Sequence, residues 1–152
     1  MKMPQLNLPK VALKTKSVEG TIQVFDVIRK KYFVLTPEEW VRQHFIHYLN
    51  TEKNYPMGLM EVEKMVKYNA LKTRADIVLY TTEGKAKMIV ECKAPNVKIT
   101  QDTFNQIAKY NFKLKVPFLV VTNGMQHFCC KMEYEKNTNR FLEEVPDFSL
   151  DA

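Results

Sequence analysis

Two carboxylates and a lysine occur in two neighbouring apolar segments of this sequence. Glu91 and Lys93 are separated by one residue in MIVECKAP (88–95), and Asp76 lies in the preceding segment, RADIVLYT (74–81). Uncompensated charge is costly to bury, so charged residues in an apolar strand need an explanation. Alternation along a strand places Glu91 and Lys93 on one face. Residues of these types, held together, could bind a divalent cation and activate a water molecule.

A hairpin between the two segments would bring the carboxylates together. The sequence TEGK (82–85) is a turn signal. If the turn is symmetric about its two central residues, Asp76 and Glu91 are directly opposite, with Cβ atoms roughly 4.5–5.5 Å apart. An odd-length loop or a bulge would break this pairing. Two such carboxylates repel unless a cation joins them, and either Lys93 or Mg²⁺ could supply that charge.

The elements that must position these residues follow from capping signals and apolar periodicity. Thr36 is a good N-cap and Pro37 suits the first helical position, so TPEEWVRQHFIHYL predicts a helix. A β-rich segment before it, 21–35, indicates one or two strands. The later segments predict strands at 59–68, 74–81 and 85–93, a helix at 100–115 capped by Thr100, and strands within 116–124 and 125–134. This order, α-β-β-β-α-β-β, predicts an α/β fold with a mixed central β-sheet flanked by helices.

Composition fits a single globular domain. The chain has 152 residues, of which 45% are hydrophobic and 26% charged, and three cysteines do not make a disulfide framework. The cysteine usage therefore indicates a reducing, cytoplasmic setting. No apolar run approaches the roughly 20 residues that span a bilayer, so we expect no membrane segment. The net charge of +6 permits binding to a phosphate backbone. We expect a loose extension at 1–20, one domain at 21–145 and a tail at 146–152.

In this order the segments resemble the PD-(D/E)xK nuclease superfamily. Its core is helix, three strands, helix, strand, with Asp on the second strand and Glu-x-Lys on the third. More specifically, the chain resembles the nuclease domain at the N-terminus of type I restriction enzyme R subunits. The resemblance covers about residues 32–145, and the stretches that carry it are LTPEEWVRQHFIHYL, RADIVLY, IVECKAP, QIAKYN and VTNG. It implies a restriction-endonuclease-like core and a Mg²⁺-dependent endonuclease that acts on DNA, with restriction-modification subunits or a motor domain as partners. The chain has no Gly-x-x-x-x-Gly-Lys motif, so that motor is absent from it.

The resemblance also implies roles for individual residues. Asp76 and Glu91 would bind Mg²⁺, or Mn²⁺ in its place, helped by the backbone carbonyl of Cys92. Lys93 would orient or deprotonate the attacking water and stabilise charge on the phosphate. Ala75 stands where the superfamily name expects proline, at a position that varies widely. The remaining match is a Gln-x-x-x-Tyr motif near the site and substrate, formed by Gln106 and Tyr110.

Other charged residues have two interpretations each. An acidic residue of the first helix often completes the metal site in this superfamily, and helix phase favours Glu38, on the stripe of Val41, over Glu39. Arg74 could contact phosphate or be a solvated charge at a strand end. Glu63 could add to the site or be a surface charge.

Competing hypotheses remain open from the residues alone. Glu-x-Lys also occurs in the turn at 83–85, where it has no meaning, and cross-strand charges on an exposed sheet are ordinary. The chain could therefore be a catalytically silent nucleic-acid-binding or docking module with the same fold. His44 and His47 lie one turn apart, but zinc needs more ligands than this pair provides.

Overall fold

The computed structural model describes residues 3–149, which form two β-sheets and two long helices. Of these residues, no helix is long and apolar enough to cross a membrane. The elements, in chain order, are β1 Thr15–Val18, β2 Thr21–Asp26, β3 Lys31–Val34, α1 Pro37–Thr51, a 3-10 turn Met57–Leu59, β4 Met60–Tyr68, β5 Leu71–Tyr80, β6 Ala86–Cys92, α2 Gln101–Phe112, β7 Phe118–Thr122, β8 His127–Glu133 and β9 Thr138–Leu142.

A three-stranded antiparallel sheet, β1-β2-β3, precedes the first helix. The segment 21–35 forms two strands, β2 and β3, which is one of the two predicted possibilities. The expectation that residues 1–20 are loose is wrong for β1, which pairs with β2. Backbone with positive φ at Glu19 (50°) and Gly20 (83°) makes the tight turn between them. Leu6 is also buried, so part of the preceding segment packs on the domain.

The central sheet is mixed and has the order β4-β5-β6-β7-β8-β9. Only one of its pairings is parallel, that of β6 with β7, and α2 makes the crossover between them. The predicted mixed α/β architecture is confirmed. The strand β9 was not predicted.

The residues that follow β9 contact the domain. Val145 is buried, and the Tyr55 hydroxyl donates to the carbonyl of Pro146 at 2.7 Å. The backbone N–H of Phe148 donates to the carbonyl of Lys53 at 2.8 Å. These contacts hold the chain end against the segment that follows α1.

Alternation along the central strands divides the core into two layers. Ile77, Met88 and Val120 pack in the cluster that includes α1, whereas the neighbouring Val78 and Ile89 pack in the cluster that includes α2. The strands are buried on both faces, which explains their nearly continuous apolar runs. Both helices therefore cover the sheet, one on each face.

The three histidines of the chain make its stability depend on pH. Burial lowers the pKa of His44, and burial is also the main cause of the lowered pKa at His47 and His127. A depressed folded-state pKa favours the neutral ring, so the stabilisation is present above the unfolded pKa near 6.5 and is lost as pH falls through the folded pKa. We expect the free energy of unfolding to fall below pH 6.5, by at most about 1.4 kcal/mol per pH unit for each histidine.

Urea unfolding between pH 7.5 and 5 measures this slope. His127→Gln is the matched variant, since Gln can keep the hydrogen bonds that the ring makes with the Thr122 hydroxyl (2.7 Å) and the Asn7 carbonyl (2.9 Å). Its slope should be shallower than that of the wild-type protein. Identical slopes would show that His127 does not titrate with unfolding.

Candidate active site

The register of the β5–β6 hairpin determines which residue of β6 lies opposite Asp76. Ile77 pairs with Val90, and the two pairs beyond it, on the turn side, keep this register. Continued by one residue, this register would set Asp76 opposite Glu91, which is the alignment that the sequence predicts.

The turn that sets this register is not symmetric in the way we expected. Thr81, rather than Thr82, pairs with Lys85 through a 2.8 Å backbone hydrogen bond. A β-bulge between Leu79 and Tyr80 then shifts the pairing back by one residue. The odd-length loop shifts the strand pairing by one residue, and the bulge shifts it back. The predicted turn is therefore wrong, whereas the predicted pairing of the strands beyond the bulge is right.

The neighbouring strand β4 places Glu63 on the other side of Asp76. Val62 pairs with Ile77 and Lys64 pairs with Ala75, which leaves Glu63 opposite Asp76 without a ladder pair. Glu63 has a left-handed backbone, with φ of 57°. Such a conformation in a non-glycine residue costs about 1–3 kcal/mol and is commonest at functional sites.

Near Glu63 and Asp76, the inward-facing side chains of β4 and β5 change from one layer of the core to the other. Val62 belongs to the α1 cluster and Val66 to the α2 cluster, although a flat strand would keep residues four apart on one face. In the same way, Ile77 and Ala75 belong to different clusters. Glu63, with its left-handed backbone, lies between Val62 and Val66 on β4, and Asp76 lies between Ala75 and Ile77 on β5. At this point a side chain from α1, Arg42, contacts both Glu63 and Asp76.

Asp76 is held by two donors. Its Oδ1 accepts from Arg42 Nη2 at 2.8 Å, and its Oδ2 accepts from the backbone N–H of Cys92 at 2.8 Å. The side chain is 21% exposed. The carboxylate is therefore fixed on two sides and still reaches solvent.

Glu91 and Lys93 form a second, more open pair. Lys93 Nζ donates to Glu91 Oε1 at 3.1 Å, and both side chains are about one-third exposed, at 33% and 34%. The backbone N–H of Lys93 donates to the carbonyl of Thr122 at 2.7 Å, which fixes the chain at the end of β6. Among the hydrogen bonds of the described residues, none joins Glu91 to Asp76.

Arg42 is the residue that the sequence did not reveal. Besides Asp76, its guanidinium contacts Glu63 through Nη2 and Glu39 Oε1 through Nη1 at 3.0 Å. Burial alone would lower its pKa, but the negative charges of Glu39 and Asp76 outweigh burial and raise the pKa. The only signal in the sequence was the spacing of Glu39 and Arg42, which lie three residues apart on one helix.

Charged contacts continue from Arg42 to the small sheet. Glu39 Oε1 accepts from Arg29 Nη2 at 2.9 Å, and Arg29 Nε donates to Asp26 Oδ2 at 2.9 Å. Gln43 donates to both Asp26 and Glu39. Burial would raise the pKa of Asp26, but hydrogen bonds from Arg29 and Gln43 outweigh burial and lower the pKa. The sheet β1–β3 is thus tied to the candidate active site through α1.

The prediction about the first helix needs correction. Helix phase favoured Glu38, but Glu38 is exposed and Glu39 is buried. The stripe that includes Val41 marks only part of the buried side of α1, because Arg42 and Gln43 are buried as well. Glu39 is therefore the acidic residue of α1 that lies toward Asp76, and Arg42 stands between them.

The other candidate residues are less closely associated with the carboxylates. Gln106 is exposed on α2, and no hydrogen bond among the described residues joins it to Asp76 or Glu91. Tyr110 also lies in α2, and its side chain is outside the part that the structure describes. Arg74 is 60% exposed and contacts Glu63, with its Nη1 3.0 Å from the Glu63 carbonyl. A role for any of them with substrate stays a prediction.

A divalent cation would meet suitable donors at Asp76 and Glu91, since both are partly exposed carboxylates. Within residues 3–149, no group of three or more His, Cys, Asp or Glu side chains is arranged to hold a metal ion. Mg²⁺ is usually held by one or two carboxylates and several waters, so the donor chemistry fits Mg²⁺. A structural zinc site, with four nitrogen or sulfur ligands, does not fit here.

The mixed sheet between two helices defines a restriction-endonuclease-like α/β domain. The chain belongs to the family described as Type I restriction enzyme R protein N terminus (HSDR_N), which matches residues 37–146. The match begins at α1 and contains the whole central sheet, and it confirms the resemblance seen in the sequence. Comparison with the curated proteins finds no match. Family membership relates the chain to restriction–modification.

Proposed function

We propose that this chain is a Mg²⁺-dependent endonuclease domain that hydrolyses DNA phosphodiester bonds in a cytoplasmic restriction system. The observation that carries the proposal is the β5–β6 register, which pairs Ile77 with Val90 and, continued by one residue, would set Asp76 opposite Glu91. Lys93 follows directly after the end of β6 and donates to Glu91. The family supports a role in restriction–modification. Other subunits of a restriction enzyme, including a motor, are the partners that this family suggests.

The carboxylates and the lysine would divide the work of hydrolysis. Bound at Asp76 and Glu91, Mg²⁺ would polarise a phosphoryl oxygen and lower the pKa of a bound water. The Cys92 N–H and Arg42 hold Asp76 in one orientation, which is the preorganisation that an electrostatic site needs. Lys93 Nζ is partly exposed and has hydrogens left to donate, so it can hold a water or a phosphate oxygen.

Cleavage of supercoiled plasmid DNA tests the proposal. The protein should convert the plasmid to nicked and linear forms in the presence of Mg²⁺ and leave it intact in EDTA. Mn²⁺ should substitute for Mg²⁺. A preparation that binds DNA and is inert with both metals would contradict the proposed activity.

A second candidate is a nucleic-acid-binding module without catalysis. The ion pair between Arg42 and Asp76 favours it, because one metal-binding oxygen already has a cationic partner. This candidate shares with the first a requirement for a DNA-binding surface. DNA binding with no metal-dependent cleavage would support it.

A lysine-rich groove supplies such a surface. The groove has a volume of about 900 Å³ and lies at the start of β6 and β7. Its apolar floor includes Val116 and Phe118. We call it the lysine groove, and its lysines are Lys67, Lys85, Lys87, Lys115 and Lys131. None of the salt bridges among residues 3–149 involves these five lysines.

The groove and the carboxylates lie at opposite ends of β6. Lys87 and Lys93 are six residues apart, which corresponds to about 20 Å along a strand. This distance is about six base pairs of DNA at ~3.4 Å per step. A duplex could therefore contact the groove with one segment while another segment lies at Glu91.

Replacing lysines of the groove should weaken DNA binding in a salt-dependent way. For Lys67→Gln combined with Lys131→Gln, we expect the slope of log K against log [NaCl] to become shallower by about 1.8, since each phosphate contact contributes about 0.9. Fluorescence anisotropy with a 30-base-pair duplex in EDTA measures the slope. The control, Lys30→Gln with Lys31→Gln, removes the same charge from exposed positions at the small sheet. Equal slopes in the two double variants would exclude the lysine groove as a DNA contact.

A further inference from the structure

Arg42 lies at the centre of a cluster of carboxylates that come from three elements. Its side chain is 8% exposed, and it pairs with Glu39 of α1, Glu63 of β4 and Asp76 of β5. One Nη2 atom serves both Glu63 and Asp76, which face one another across the two strands. Arg42 thus contacts all three carboxylates, whereas Arg29 contacts only Glu39 of them and Arg74 only Glu63.

Without a cation between them, these carboxylates would repel one another in a partly buried site. A divalent ion at Asp76 would relieve that repulsion, and in this structure Arg42 relieves it. The guanidinium comes from a helix that is tied to the small sheet through Glu39 and Arg29, so its position is set by the fold. The two cations would compete, because Arg42 already pairs with Asp76 and like charges repel at short range.

We infer that Arg42 is the resident counter-ion of Asp76 and Glu63, that it makes folding independent of a divalent metal, and that it lowers the affinity of the site for that metal. The inference rests on the proposed function, since it concerns the same metal site. It gives Arg42 a positioning role: the arginine holds the Asp76 carboxylate in place, and its positive charge would oppose a metal at the same carboxylate. A purely structural arginine would make no difference to metal affinity beyond its effect on folding.

Titration calorimetry of the whole chain with Mn²⁺ tests this inference without a cleavage assay. Arg42→Met should bind Mn²⁺ at least about tenfold more tightly than the wild-type protein, because a nearby positive charge has been removed. Arg42→Lys keeps the positive charge that repels the metal and should bind Mn²⁺ within about threefold of the wild type. Lys64→Met is the charge-matched control, since Lys64 is 49% exposed on the same strand as Glu63 and pairs with Glu61. It should bind Mn²⁺ as the wild type does.

Thermal unfolding gives the second measurement. The wild-type protein should unfold at the same temperature in EDTA and in EDTA-free buffer, whereas Arg42→Met should be less stable in EDTA and should regain stability with Mn²⁺. If Arg42→Met is unfolded in EDTA, Mn²⁺ should restore its circular dichroism spectrum. A variant that stays unfolded with Mn²⁺ would overturn the inference.

The possible failures separate the two proposals. Mn²⁺ binding by the wild type with equal or weaker binding by Arg42→Met overturns the inference and leaves the proposed metal site standing. Binding by Arg42→Met alone supports the inference in its strongest form. Absence of binding in the wild type and both Arg42 variants overturns the metal site, and the inference falls with it.

Discussion

Glu39→Gln is expected to lower the free energy of unfolding by about 3 kcal/mol, and Glu38→Gln by less than about 1 kcal/mol. The Glu39 carboxylate is 8% exposed and accepts from Arg29, Arg42 and Gln43. Gln has the same shape but no charge, so the substitution leaves two arginines without their shared partner. The loss is costly because both arginines are largely buried, and each would lose one of its acidic partners there.

Glu38 provides a close control, since it is the preceding residue in the same helical turn and is exposed. Both substitutions remove one negative charge from the first turn of α1, where acidic residues interact favourably with the helix dipole. The difference between the variants therefore isolates the buried contacts of Glu39. Urea unfolding followed by circular dichroism measures both. Equal losses would show that the arginines find other partners, and the network from β2 to β5 would carry little energy.

The register of the β5–β6 hairpin could be predicted from the sequence because antiparallel register is a counting argument. Counting outward from the turn gave the right partners for Leu79, Val78 and Ile77 even though the turn itself was wrong. The bulge at Leu79 and Tyr80 compensates for the shift of the turn by one residue. Selection of the register by the buried faces explains this outcome, since a slip of one residue would turn Ile77 and Val78 to the opposite layers.

The role of Arg42 could not be predicted in the same way. Its partners Glu63 and Asp76 are 21 and 34 residues away in the chain. No local pattern specifies such contacts, and an arginine on a helix is most often exposed. The left-handed backbone at Glu63 also has no signal in the residue type, since glutamate rarely adopts positive φ.

The peripheral strands were missed for a different reason. β1 is exposed at all four residues, and β9 is exposed at four of its five residues, so neither shows the apolar alternation on which strand prediction depends. Both pair along an existing strand and gain backbone hydrogen bonds without adding much to the core. The central strands had strong signals because two layers of the core bury them.

Lys93→Met is expected to reduce the rate of Mg²⁺-dependent DNA cleavage by about 10²–10⁴-fold, the range that a residue acting in proton transfer typically contributes. Asp76→Asn and Glu91→Gln should each have an effect at least as large, because they remove the charges that would hold the metal. Initial rates of plasmid nicking at saturating Mg²⁺ measure all three. Each variant should still bind DNA in EDTA.

Because the Glu91–Lys93 pair is partly exposed, the effect of these substitutions on catalysis can be measured without a large loss of stability. Ion pairs that are about one-third exposed are worth less than about 1 kcal/mol, so neither Lys93→Met nor Glu91→Gln should unfold the protein. Glu83→Gln is the matched control, because Glu83 belongs to the other Glu-x-Lys of the chain, in the exposed turn. Its rate should not fall below that of the wild type.

The double variant Glu91→Gln with Lys93→Met separates a joint catalytic role from two independent contributions. Residues that act as a unit give strongly non-additive losses, so the double variant should be scarcely slower than the slower single variant. Multiplicative losses would mean that Lys93 acts apart from the carboxylates, for instance by binding a phosphate elsewhere on the DNA. Lys93 would then belong to the DNA-binding surface together with the lysine groove, and the metal site would consist of Asp76 and Glu91 without it.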